Sequence, residues 1–194
     1  YNSSTIEFAI PGISVTIPPV VFCLLSIVLI WVSINVTNCS DGVDGLSATL
    51  TIITLITLYI VKGMKGTTDN FSYLILLFVI CLLGYLWYNA APSHLMMGDA
   101  GSRAMGIFIA IAALKTESPF LYIFAAFVLI ADGGIGIVKV ALLRFLKIKI
   151  LTNVRTPLHD HVRKVWDWSN TQTVFRFGII QIVISVATIY MLML

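Results

Sequence analysis

The 194 residues are 59% hydrophobic and only 11% charged, with a mean hydropathy of +0.99, which excludes an ordinary soluble domain and identifies an integral membrane protein. A net charge of +3 and a pI near 8.8 are too slight to argue for nucleic acid. Cys23, Cys39 and Cys81 show neither zinc spacing nor a disulfide framework and read as reduced thiols.

Apolar runs near the roughly 20 residues that cross a bilayer occupy residues 17–36, 46–61, 73–91, 120–131 with a continuation, and 174–194. They lack the alternation of a barrel strand, so the expected fold class is an all-α integral membrane protein. About six transmembrane helices are expected, one of them long and bent, with cytoplasmic loops forming the site.

Residues 1–16, with Pro11 and Gly12, read as an extramembrane loop, and Pro18-Pro19 as a helix start, where proline is tolerated. With no initiator Met, no signal-peptide n-region and no earlier span, the chain is expected to be the later part of a longer protein, a single transmembrane domain over 1–194. The N-x-S/T tripeptides at Asn2, Asn35, Asn38 and Asn70 are read as chance matches. The first helix ends near Asn38 and the second leaves from Leu46. Between them, Asn38, Asp41 and Asp44 stand three residues apart, with Gly42 and Gly45 after the acids. A charge at or near hydrocarbon costs about 3 kcal/mol or more, so acids there usually face a water-filled cavity on a substrate or ion path. The spacing keeps them on one helical face, and the glycines let a bulky ligand come close. The structural alternative is an Asn/Asp/Gly turn with both acids solvated.

The stretch Lys62 to Asn70 closes the second helix on the opposite side, and the third returns through the aromatic belt Tyr85, Trp87 and Tyr88 to Pro92. The connector His94 to Arg103 therefore lies beside the first and carries Asp99 between glycines. A fourth helix over residues 104–114 is short for a span, about 16 Å, unless it begins earlier or tilts little. If it crosses, the fifth comes back and extends past the bilayer through Lys139, Arg144, Lys147 and Lys149. Within it, Asp132-Gly-Gly-Ile-Gly136 predicts a bend or a close helix contact. Asp132 and Lys139, seven apart, either support a cavity or serve structure, the acid paired to a neighbouring helix and the lysine snorkelling to headgroups. The polar connector 152–171 then joins the first two. Nine basic residues (Arg103, Lys139, Arg144, Lys147, Lys149, Arg155, Arg163, Lys164 and Arg176) share that side against Lys62, Lys65 and Lys115, which marks it as cytoplasmic.

Helix parity thus gathers Asn38, Asp41, Asp44, Asp99, His159, Asp160, His161 and Arg163 on one face. Carboxylates beside glycine backbone suit Mg2+, which takes one or two protein carboxylates and completes its shell with water and phosphate oxygens. Imidazoles and arginine suit a polyphosphate, so the set fits displacement at phosphorus. Each signal is weak by itself: MGDAGS reads equally as a turn, and His159-Asp160-His161 as a surface loop.

The segments NVTNCSDGVDGLSA, MMGDAGSRAMG, PLHDHVRKVW and NTQTVFRFGIIQI resemble, in order and spacing, the polyprenyl-phosphate N-acetylhexosamine-1-phosphate transferases, and within them the branch that carries a MurNAc-pentapeptide. The resemblance covers nearly the whole chain and corresponds to the later six of the family's ten helices. It implies transfer of phospho-MurNAc-pentapeptide from UDP-MurNAc-pentapeptide to undecaprenyl phosphate, giving lipid I and UMP in peptidoglycan synthesis at the cytoplasmic face of the bacterial inner membrane. By the same resemblance Asp99 is the Mg2+ ligand, Asn38 and Asp41 belong to the catalytic cleft, and Gly42, Val43 and Asp44 line a uridine pocket. His159 and His161 lie beside nucleotide or phosphate.

The chain departs from the family in four places. Asp160 interrupts three consecutive histidines, Met96 replaces an aromatic residue, Cys39-Ser40 replaces Leu-Thr, and Lys139 replaces an amide in the substrate region. The paired aspartates of the family's first half are absent, so the chain is expected to need its missing N-terminal part for activity; a homodimer is left open. The alternatives are a sister transferase using another UDP-N-acetylhexosamine and, in a different class, a transporter with intramembrane acids.

Overall fold

In the computed structural model, residues 5–7 and 14–194 are described. A two-stranded antiparallel hairpin, β1 (Thr5–Glu7) with β2 (Ser14–Thr16), pairs Ile6 with Val15. The stretch expected as loop therefore holds a short ladder; its other residues lie outside the described ones. The helices are α1 (Pro19–Cys39), α2 (Leu46–Met64), α3 (Asn70–Asn89), α4 (Gly98–Leu114), α5 (Pro119–Ala125, opening with a 3-10 turn), α6 (Phe127–Leu146), α7 (Leu158–Val165) and α8 (Asn170–Met193). Four of them are long and apolar enough to span, five if the bent α5–α6 pair counts as one crossing. The chain is a multi-pass helical membrane protein.

The centre of the bundle is α2, two-thirds of whose apolar window (67%) is buried, against 17% for α1. Small side chains let its neighbours come close, and Thr51, Thr54 and Thr57 turn inward with Ala48 and Leu55. On α1, two contacts depend on glycine. A Cβ at Gly106 of α4 would lie 2.6 Å from the Ser33 carbonyl oxygen, and one at Gly133 of α6 would lie 2.6 Å from that of Val36. The Ser33 hydroxyl also donates to the Gly106 carbonyl at 2.7 Å.

One expectation is corrected, and another is met in one of its two forms. The first concerns α4, which starts at Gly98, six residues before the predicted 104. Gly98 takes a left-handed φ of 68°, and Asp99 follows in the first turn, where a carboxylate suits the helix dipole. At 17 residues α4 is about 25 Å long, close to a full crossing. At its far end Lys62 donates to the Lys115 carbonyl at 3.0 Å, Asp69 pairs with Lys62 at 3.3 Å, and Lys65 donates to the Ser118 hydroxyl. The connectors 65–69 and 115–118 therefore share one end of the bundle, as parity requires.

The second is the bend or close helix contact expected at Asp132 to Gly136: the close contact is found there, at Gly133, while the bend, of 73°, lies earlier, at Ala126. Hydrocarbon offers no hydrogen bonds, so a broken helix needs other partners for its freed backbone groups. Gln181 of α8 supplies them. Its Oε1 accepts from the Val128 amide at 2.8 Å, and its Nε2 donates to the Phe124 and Ala125 carbonyls at 3.2 and 2.9 Å, replacing the missing helical bond through a side chain. Thr54 adds a second donor to the Ala125 carbonyl at 2.9 Å. The predicted position instead forms a π-helical turn, Ile130–Gly134, whose Gly133 makes the close contact with α1. The third connector is also not all loop, since α7 occupies its middle.

Replacing Gln181 by Leu takes this partner from the Val128 amide and the Phe124 carbonyl, while Thr54 still serves that of Ala125, at a cost of about 1–3 kcal/mol. The expected outcome is a thermal midpoint lowered by several degrees in detergent; an unchanged midpoint would show that another group takes the amide's place.

Candidate active site

The first connector is built by short-range bonds. The Asp41 amide donates to the Asn38 carbonyl at 3.3 Å and the Leu46 amide to that of Val43 at 3.0 Å, while Gly45, at φ 81°, starts α2. Asn89, at the end of α3, ties it to the second connector: Oδ1 accepts from the Gly45 amide at 2.9 Å and Nδ2 donates to the Leu95 carbonyl at 2.8 Å. From the end of α1, Asn38 donates to Asp99 at 3.3 Å and to Ser102 at 2.9 Å. Residues 61 positions apart in the chain thus meet at one end of the bundle.

Between these connectors lies a cleft of about 250 Å3. It is lined by Asn38, Asp41, Gly42, Val43, Asp44, Met96 and Asp99 of the expected set, and by Tyr85, Asn89, Met97 and Gly98, which the sequence reading did not single out as site residues. Asn89 carried a signal that went unused, an amide between an aromatic belt and Pro92. Ser47, which donates to Asp41 at 2.5 Å, carried only its place as the second residue of α2.

His159, His161 and Lys139 do not line this cleft. His159 is 3% exposed and lies behind the first connector, its Nε2 close against Gly42. His161 accepts the Arg155 amide on Nδ1 at 3.2 Å and meets Trp166 edge-on at 5.7 Å. Lys139 donates to the Leu151 and Val154 carbonyls at 3.1 and 2.7 Å, holding the chain between α6 and α7. Asp160 turns outward to Lys164 at 2.6 Å and Arg163 at 3.8 Å. The Lys164 hydrogen bond leads the causes that lower its pKa. Acid in place of a middle histidine is thereby accommodated at the surface. Asp132, considered for a cavity with Lys139, is paired with His159 instead.

The two cleft carboxylates differ. The Asp99 side chain is 77% exposed, with Oδ2 2.9 Å from Arg103. Asp41 is half-buried, and its pKa is raised, first by burial and also by the charge of Asp99, against the lowering effect of the Ser47 hydroxyl. Two acids that repel across a cleft, both hard oxygen donors, fit a divalent cation that keeps several waters. Among the described residues no group of three His, Cys, Asp or Glu side chains forms a complete protein cage.

The model of a family described as "Glycosyl transferase family 4" matches residues 1–117. Proteins named phospho-N-acetylmuramoyl-pentapeptide-transferase are similar to this chain: that of Treponema pallidum (strain Nichols) at 41% identity, covering 86% of this chain and 50% of its own length, and that of Brachyspira hyodysenteriae at 33%, covering 80% and 44%. The Borrelia hermsii protein of the same name is 31% identical, covering 78% and 46%. The chain spans about half the length of the curated relatives it matches.

A raised pKa means that Asp41 takes up its proton at a higher pH than an ordinary carboxylate, so cation binding by the ionised pair weakens as pH falls through that value. Asp99→Asn removes one raising cause and is expected to move the Asp41 titration to lower pH, read from its 13C carboxyl resonance. An unmoved titration would show that the two acids are not coupled.

Proposed function

Because this chain belongs to glycosyl transferase family 4, we propose that it forms the later half of a magnesium-dependent enzyme that moves phospho-MurNAc-pentapeptide from UDP-MurNAc-pentapeptide to undecaprenyl phosphate, yielding lipid I and UMP. The observation that carries this reading is the pair Asp41 and Asp99, brought from two connectors to one cleft at a single end of a membrane bundle. The excess of basic residues at that end supports a cytoplasmic site in the bacterial inner membrane.

Bound Mg2+ supplies charge neutralisation on the diphosphate oxygens. Asp99 is the carboxylate best exposed to hold it, and Asn38 fixes the direction of Asp99 through one oxygen. Asp41 faces the same space from the opposite connector, oriented by Ser47. Gly42, Val43 and Asp44 form the wall against which the nucleotide is held, with Met96 opposite. An oxygen of the lipid phosphate attacks the sugar-linked phosphorus, its bond to the bridging oxygen breaks, and UMP leaves.

Membranes containing the full-length protein, given labelled UDP-MurNAc-pentapeptide and undecaprenyl phosphate, are expected to form lipid I. Asp99→Asn and Asp41→Asn are each expected to lower product by at least about 100-fold, the scale of losing one stabilising contact to transition-state charge. Wild-type turnover in Asp99→Asn would remove it from the site, and product from a simple UDP-N-acetylhexosamine alone would reassign the donor.

A further inference from the structure

Asp132 is fully buried in the π-helical turn of α6, and both its oxygens serve one residue. Oδ1 accepts from the backbone amide of His159 at 2.7 Å, and Oδ2 lies 2.8 Å from its Nδ1. With Asp132 ionised, its carboxylate only accepts, and Nδ1 then carries the hydrogen and the ring is held in one tautomer. The other ring nitrogen faces the first connector: a Cβ on Gly42 would lie 2.5 Å from Nε2. A glycine between Asp41 and Val43, both cleft residues, thus rests directly on an imidazole whose angle is set from α6.

We propose that Asp132 is a positioning residue: by fixing the tautomer and angle of His159 it presents a hydrogen-free Nε2 to Gly42 and so sets where the Asp41 carboxylate stands in the cleft. The proposal rests on the function above for its effect on turnover, and on geometry alone for its effect on Asp41. In Asp132→Asn the amide can turn its NH2 toward Nδ1. The ring hydrogen then moves to Nε2, on the side where the ring leaves no room for a methyl group at Gly42, and the connector carrying Asp41 shifts to take it. Such support of a reacting group typically contributes about 10–100-fold to activity.

The test uses the full-length protein in nanodiscs, labelled with 15N at histidine and 13C at aspartate carboxyls. Wild-type His159 is expected to show a protonated Nδ1 and a bare Nε2, Asp132→Asn the reverse with a shifted Asp41 carboxyl resonance, and Asp132→Glu the wild-type tautomer with turnover above that of Asp132→Asn. Turnover in Asp132→Asn is expected to fall at least tenfold. A wild-type ring already protonated on Nε2 overturns the proposal without any variant, even if Asp132→Asn fails to fold. So does an Asp41 resonance that stays put when the tautomer changes. If the wild-type protein makes no lipid-linked product, the functional reading fails, and the Asp41 resonance still decides the positioning role.

Discussion

The structure depends on a constraint of its solvent: hydrocarbon cannot replace a lost backbone hydrogen bond, so a helix breaks in a membrane only where the protein supplies the partners. At Ala126 that supply is the Gln181 amide, an acceptor for Val128 and a donor to Phe124 and Ala125, joined by the Thr54 hydroxyl at Ala125. The break lets α5 and α6 run in directions 73° apart. With that direction α6 brings Gly133 against the end of α1 and Asp132 beneath α7. The site end of the bundle is thus arranged by an interaction well inside it.

Much of the fold was legible because hydropathy and parity are local or additive. Pro18-Pro19 marks the start of α1, which ends at Cys39 where the polar stretch begins, and Leu46 opens α2. The meeting of Asp41 and Asp99 follows from counting crossings. The place of the bend was not legible, because Gln181 lies 53 positions beyond the Val128 amide it accepts from and glycines nearby offered a more obvious place. The start of α4 was missed because Asp-Ala-Gly-Ser-Arg reads as loop by composition, whereas the left-handed Gly98 and the acid after it begin a helix. The histidine motif was found, but its partner was not: Asp132 and His159 meet only once α6 has turned.

The two ends of the bundle use charge differently. Far from the cleft, Lys62 is almost wholly buried, yet its ammonium is held by Asp69 and the Lys115 carbonyl, so the charge is neutralised in place and closes the connectors on one another. At the cleft, Asp99 is paired with Arg103 at the surface, whereas Asp41 is half-buried and held by the Ser47 hydroxyl, its pKa raised first by burial and also by the charge of Asp99.

The way α1 is gripped has a consequence for how the chain tolerates change. Its backbone touches α4 near Ser33 and α6 at Val36, one helical turn apart, and most of its remaining surface is apolar and open. Changes along that outer wall leave these two backbone contacts untouched. A single methyl group added at Gly106 or Gly133 would instead act as a wedge, prising apart the helices that carry Asn38, Asp99 and Asp132.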